Sequence, residues 1–136
     1  MGGVDITVTT REKPEQSLFD LYLHLHPEMS IKGILGGKDR SKDRWGADIE
    51  MRRKAVPCEK YPIEIFGPAL VPDEDDMAPE IIASTPPPVW LTNIGCELSN
   101  KQNWTDAEGL AVFIAKKYKG AVYTSEAGII WSFYKS

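Results

Sequence analysis

The sequence predicts an α+β fold, a mainly antiparallel sheet with two helices packed on one face in a ferredoxin-like type of sandwich. Three observations lead there. Several short segments alternate apolar and polar residues, the period-two pattern of half-buried strands. Two others repeat apolar residues at helical spacing. These segments follow one another as β-α-β, β-β and β-α-β-β within 136 residues, the size of one domain, expected to occupy 1–136.

Taken in order, VDITVTT alternates through Val4, Ile6 and Val8 and predicts the first strand. Pro14 suits the first turn of a helix, along which Leu18, Leu21, Tyr22 and Leu25 form an apolar stripe. Pro27 ends that helix, because the residue before a proline is pushed out of the helical region. SIKGIL, with Ile31 and Ile34, predicts a second strand stopped by Gly36-Gly37, and the polar KDRSKDR that follows reads as a solvated loop. WGADIEMRRKAV alternates through Ala47, Ile49 and Met51. YPIEIFGPAL does so through Ile63 and Ile65 until Gly67-Pro68 breaks the strand, and the chain between Arg52 and Tyr61 joins the two as a hairpin.

VWLTNIGCEL has apolar residues on both faces and predicts a central strand. In WTDAEGLAVFIAKKYKG, Thr105 and Glu108 form a capping box, and Ala107, Leu110, Ala111, Ile114 and Tyr118 make the apolar stripe. Lys116, Lys117 and Lys119 complement the helix dipole, and Gly120 suits the left-handed position after the helix. AVYTSEAGIIWSF closes the chain as a hairpin around Ser125 to Gly128.

Apolar residues at 42% and charged residues at 26% match soluble globular domains and argue against disorder over the whole length. No run approaches the roughly 18 consecutive apolar residues of a membrane span, and MGGVDITVTT lacks the pattern of a secretory signal. Cys58 and Cys96 form no CxxC pair and read as reduced thiols, so a cytoplasmic address is expected. The net charge is −4, unevenly placed: residues 32 to 54 hold eight basic and four acidic side chains, and the remainder is strongly acidic. That balance argues against a dedicated nucleic-acid binder, whose affinity depends on a basic face.

Motifs of catalysis do not assemble. GILGGKDRS has only three residues between Gly33 and Gly37-Lys38, and Asp39 stands where a P-loop carries its magnesium-binding hydroxyl, so this is a turn. His24 and His26 lie two apart, on different faces of a helix, and are the only histidines. No GxSxG occurs, and neither cysteine has a histidine nearby in sequence. No catalytic residue, metal site or cofactor is therefore assigned.

The sharpest local feature is VPDEDDMAPE, with Asp73, Glu74, Asp75, Asp76 and Glu80 beside the extended STPPPVW. Without a glycine in the turn, its consecutive acids point apart and fit a calcium loop poorly. A solvated loop is the plain reading, and a surface that steers a basic protein is the functional one. Trp90 and Trp131 lie in apolar strands and read as core. Trp45 and Trp104 start elements among polar neighbours, as staples for the next element or as interface anchors.

LAVFIAKKYKGAVYTSEAGIIW, residues 110–131, resembles the closing segment of several bacterial immunity-protein families encoded beside polymorphic or contact-dependent toxins. The shared features are a small-residue amphipathic helix followed by Gly120, Val122, Tyr123, Gly128 and Trp131. The resemblance implies a small, acidic, cytoplasmic α+β protein that binds a cognate toxin tightly and often occludes its active site. Interfaces differ between these families, so it transfers no functional residue.

The expectation is a non-enzymatic inhibitor whose partner surface includes Asp73, Glu74, Asp75, Asp76, Glu80, Trp45 and Trp104. Two alternatives stand beside it. One is a small-molecule-binding domain or small enzyme with a pocket between sheet and helices, and the other a phage accessory protein acting on host defence.

Overall fold

The computed structural model describes residues 3–35, 48–54, 62–71, 89–97, 101–124 and 128–132. The strands are β1 (Gly3–Thr10), β2 (Met29–Leu35), β3 (Asp48–Arg53), β4 (Ile63–Val71), β5 (Val89–Glu97), β6 (Gly120–Thr124) and β7 (Gly128–Ser132). Helix α1 (Leu18–Leu25) follows β1, and α2 (Lys101–Tyr118) follows β5. The seven strands form one sheet in the order β2-β3-β4-β5-β1-β6-β7, and each neighbouring pair is antiparallel.

Among the described residues the element order is the predicted one, and β5 takes the central position that its two apolar faces suggested. Strands β5 and β6 run parallel on either side of β1, with α2 crossing between them. This is the split β-α-β unit of ferredoxin-like packing. The β1–α1–β2 unit is wider, because β5, β4 and β3 all lie between its strands.

The core lies between the sheet and the two helices. Ile6 and Val8 of β1, Ile49 and Met51 of β3, Ile63 and Ile65 of β4, Ile94 and Cys96 of β5 and Val122 of β6 point to the helix side and are buried. Alternation by two along each strand puts all of them on that one face. From α2, Ala107, Leu110, Ala111, Ile114 and Tyr118 are buried as the stripe predicted, joined by Ala115. Each fully buried Ile or Leu contributes about 1.5–3 kcal/mol, so this layer dominates the stability.

Five local expectations are corrected. The α1 stripe is rotated: Leu18, Phe19 and Tyr22 are buried, whereas Leu21 and Leu25 are 42% and 56% exposed. The helix turns its aromatic side inward, where Tyr22 meets the edge of Phe113 on α2, ring centroids 5.2 Å apart. Pro14 lies outside α1, which starts after Ser17. Thr105 is not an N-cap. Helix α2 starts a turn earlier, at Lys101, and the Thr105 hydroxyl donates to the Lys101 carbonyl at 3.0 Å. The added turn is held by tertiary contact, since Asn103 is buried and Trp104 packs on the core.

Gly67-Pro68 does not end β4. The strand bulges between Phe66 and Ala69 through a cis peptide and continues along β5. After α2 the left-handed residue is Lys119, at φ 60°, and not Gly120. Gly120 opens β6, where a Cβ would overlap the Thr9 carbonyl oxygen and lie 2.8 Å from Thr10 Cα. This glycine is needed for close approach of two strands, not for a turn. The β6–β7 hairpin pairs as expected.

Candidate functional site

Residues that alternate with the core positions face the other side of the sheet, on which no described helix packs. Register brings a row of acids together there. Glu50 of β3 stands opposite Glu64 of β4, Glu64 opposite Gly95 of β5, and Gly95 opposite Asp5 of β1. The Asp5 side chain leans over Gly95, where a Cβ would come 3.3 Å from Asp5 Oδ1. Arg52 Nε donates to Glu50 Oε1 at 2.6 Å, and Glu97 lies on the same face of β5. The next row holds Phe66, Asn93, Thr7 and Tyr123, and Thr7 Oγ1 donates to Asn93 Oδ1 at 3.1 Å.

The Glu50–Glu64 apposition is costly in itself. Like charges directly opposite on antiparallel strands destabilise by a few tenths to about 1 kcal/mol. Arg52 offsets one of the two, which leaves the row acidic. Burial first, then the Asp5 and Glu97 carboxylates, pushes the Cys96 thiol up to about 11, so it is unreactive at neutral pH. Cys96 is free, and Cys58 lies outside the described residues. Among the described residues, no three His, Cys, Asp or Glu side chains are grouped to hold a metal ion.

A second polar cluster sits where α1 meets α2. The Arg53 guanidinium binds both carboxylate oxygens of Asp106, Nε at 2.8 Å from Oδ2, and Gln102 Nε2 donates to Asp106 Oδ1 at 3.0 Å. Tyr22 stacks on His26, centroids 4.3 Å apart, and His26 Nδ1 lies 3.4 Å from Glu28 Oε2. The Glu28 carboxyl is held below the usual range, first by its own backbone N–H and then by His26. These charges are paired among themselves and tie β3, α1 and α2 together. His24 and His26 share no ligand position: His24 is in the last turn of α1 and His26 just beyond it.

A cleft of about 280 Å³ opens at the start of α1 over β2 and β3. Phe19, Ile31 and Ile49 form its floor, with Gln16, Ser17 and Asp20 at its rim.

Of the partner-binding residues expected from sequence, Asp73, Glu74, Asp75, Asp76, Glu80 and Trp45 lie outside the described residues. Trp104 is half-buried in the first turn of α2, against the core. The acidic row of Asp5, Glu50 and Glu64 was not singled out by sequence reasoning. Its signal was there in DIEM and IEI, where an acid alternates with core residues, but which acids meet depends on strand register.

No known family matches this chain. Searches against protein-family models, curated proteins and solved structures found no similar protein. No helix among the described residues is long and apolar enough to cross a membrane.

Proposed function

We propose that this chain is a non-enzymatic, immunity-type inhibitor, which neutralises a basic protein toxin by covering its active site with the acidic face of the sheet. The observation that carries this reading is the cross-strand Glu50–Glu64 pair, continued by Asp5 across Gly95. A like-charge pair that weakens the free protein is offset when a cationic surface covers it, and clustered acids also speed the encounter with such a partner. The resemblance of residues 110–131 to immunity proteins supports the same class. The stretch from Asp73 to Glu80 belongs to this proposal as a second acidic surface.

The test begins with capture of the partner from the host on tagged protein, followed by binding kinetics with the purified pair. Glu64→Lys relieves the repulsion with Glu50, so unfolding should show equal or greater stability. Association should nevertheless slow and the Kd rise about tenfold or more. Unchanged binding in Glu64→Lys and Asp5→Lys removes this face from the interface, and Asp75→Lys with Asp76→Lys then tests the other surface.

A second reading has its own observation, the cleft floored by Phe19, Ile31 and Ile49, which is near the lower size limit of small-molecule pockets. A ligand there would stabilise the protein in a thermal-shift screen, and Ile49→Trp should abolish that shift.

A further inference from the structure

We infer that one water molecule is held in the core between β1 and β5, where it bridges the hydroxyls of Thr10 and Thr92. Both side chains are fully buried, and neither Thr10 Oγ1 nor Thr92 Oγ1 has a hydrogen-bond partner within the protein. Threonine is a costly choice at such positions. Valine has nearly the same shape, and a buried hydroxyl left unpaired loses the bonds that it makes in solvent. One such group could be an isolated cost. Two of them side by side point to a shared partner.

Register places them together. Thr10 continues the core face of β1 after Ile6 and Val8, and Thr92 precedes Ile94 and Cys96 on the core face of β5. Val8 stands opposite Thr92 and Trp90 opposite Thr10, so the two threonines are diagonal neighbours. Diagonal neighbours lie about 7–8 Å apart, their Cβ atoms somewhat less. That is too far for a direct bond between two short side chains. It suits a single water with a bond of about 2.8 Å to each hydroxyl.

The cross-strand neighbours offer no substitute. Gly120 of β6 lies opposite Thr10, and the β4 ladder skips Gly67 and Pro68 opposite Thr92. None of Val8, Trp90, Gly120, Gly67 and Pro68 carries a side-chain oxygen, and Pro68 has no N–H to donate. Gly67 sets no side chain against Thr92 Oγ1, from which an added Cβ would lie 3.6 Å. A water donates and accepts, as each threonine hydroxyl does, so one molecule satisfies both groups. The bridge fastens β1 to β5 beside the β4 bulge. It is independent of the acidic row, which lies on the other face of the sheet.

A crystal structure at a resolution that shows ordered water tests this directly. Density within hydrogen-bond distance of both Oγ1 atoms is expected, and hydroxyls that bond to the main chain or stand without a water overturn the inference. Valine substitutions test it in solution. Thr10→Val and Thr92→Val each remove one anchor and leave the water and the other hydroxyl short of a partner, so each should lower the urea midpoint by about 0.5–1 M. The double variant leaves no hydroxyl to satisfy and should be less destabilised than the sum of the two. Midpoints that rise in both single variants and add in the double one overturn the inference, because hydroxyls without a water gain from valine one at a time. Magnetic relaxation dispersion of the solvent, which counts long-lived buried waters, should show one fewer in the double variant than in the parent. An unchanged count overturns the inference even where a single variant fails to fold.

Discussion

Three glycine-to-alanine substitutions should have three different effects, set by what an added Cβ would meet. At Gly120 it would overlap the Thr9 carbonyl oxygen and lie 2.7 Å from Thr9 C and 2.8 Å from Thr10 Cα. All three are backbone atoms of the neighbouring strand, so no side chain can swing aside. Relief requires β1 and β6 to separate at Thr10–Gly120 and Thr9–Ala121, the end of their ladder. Overpacking of about 1–3 kcal/mol and weakened ladder hydrogen bonds at about 1 kcal/mol each give a loss of about 3–4 kcal/mol. At Gly128 a Cβ meets nothing within 4 Å, but φ is +71°, so alanine costs about 1 kcal/mol of backbone strain. At Gly109, exposed within α2, the nearest atom is Tyr22 Oη at 3.9 Å, an ordinary contact. Alanine should stabilise there by about 1 kcal/mol through helix propensity. Urea unfolding measures all three. With a slope of about 1–3 kcal/mol per molar, Gly120→Ala should lower the midpoint by about 1–4 M. A Gly120→Ala midpoint within experimental error of the parent, or a destabilised Gly109→Ala, would refute the reasoning from close approach.

Two further outcomes are expected. Asp106→Ala leaves the Arg53 guanidinium, 23% exposed, without its carboxylate, and should cost about 2–3 kcal/mol, less than a fully buried pair because of that exposure. A double-mutant cycle with Arg53→Met measures the coupling, and near-zero coupling would show that the clamp contributes nothing. Burial first, then the Asp106 and Glu28 carboxylates, pushes the Tyr22 phenol up from 10 to about 12. The folded state thus favours the neutral phenol. Its contribution is complete below pH 10 and is lost as pH rises from 10 to about 12, by about 2–3 kcal/mol. Unfolding free energy against pH should show an alkaline loss larger by that amount in the parent than in Tyr22→Phe, since the raised Cys96 thiol contributes its own loss to both.

Helix α2 was legible in the sequence because Ala107, Leu110, Ala111, Ile114 and Tyr118 repeat at helical spacing over three turns, and all five are buried. In LFDLYLHL, six of eight residues are apolar, so periodicity alone cannot say which side faces inward, and the width of Phe19 and Tyr22 decides it. The capping box at Thr105 is a sound local signal that lost to tertiary contact, since Asn103 and Trp104 extend the helix by packing. Gly120 has a similar history. A glycine after a lysine-rich helix end suggests a cap, and nothing local reveals that Thr9, more than a hundred residues earlier, lies against it. The acidic row follows the same logic. Glu50 and Glu64 are each legible as outward-facing, but their apposition is a property of register between strands.

The place of β1 inside the sheet, between β5 and β6, has a consequence during synthesis. Its neighbours, β5 and β6, both come much later in the chain, and Thr7 bonds to Asn93 across a separation of 86 residues. At about 5–20 residues per second, the ribosome takes roughly 4–17 s to supply the first of them. Throughout that interval Val4, Ile6 and Val8 form a strand with both edges open, while β2, β3 and β4 can already assemble as a meander. The β2–β3–β4 meander therefore forms half a sheet with an unfilled slot beyond it. Slow codons between β4 and β5 lengthen the exposure of β1 to chaperones and to other nascent chains, so yield of the folded protein is sensitive to translation speed there more than after β6.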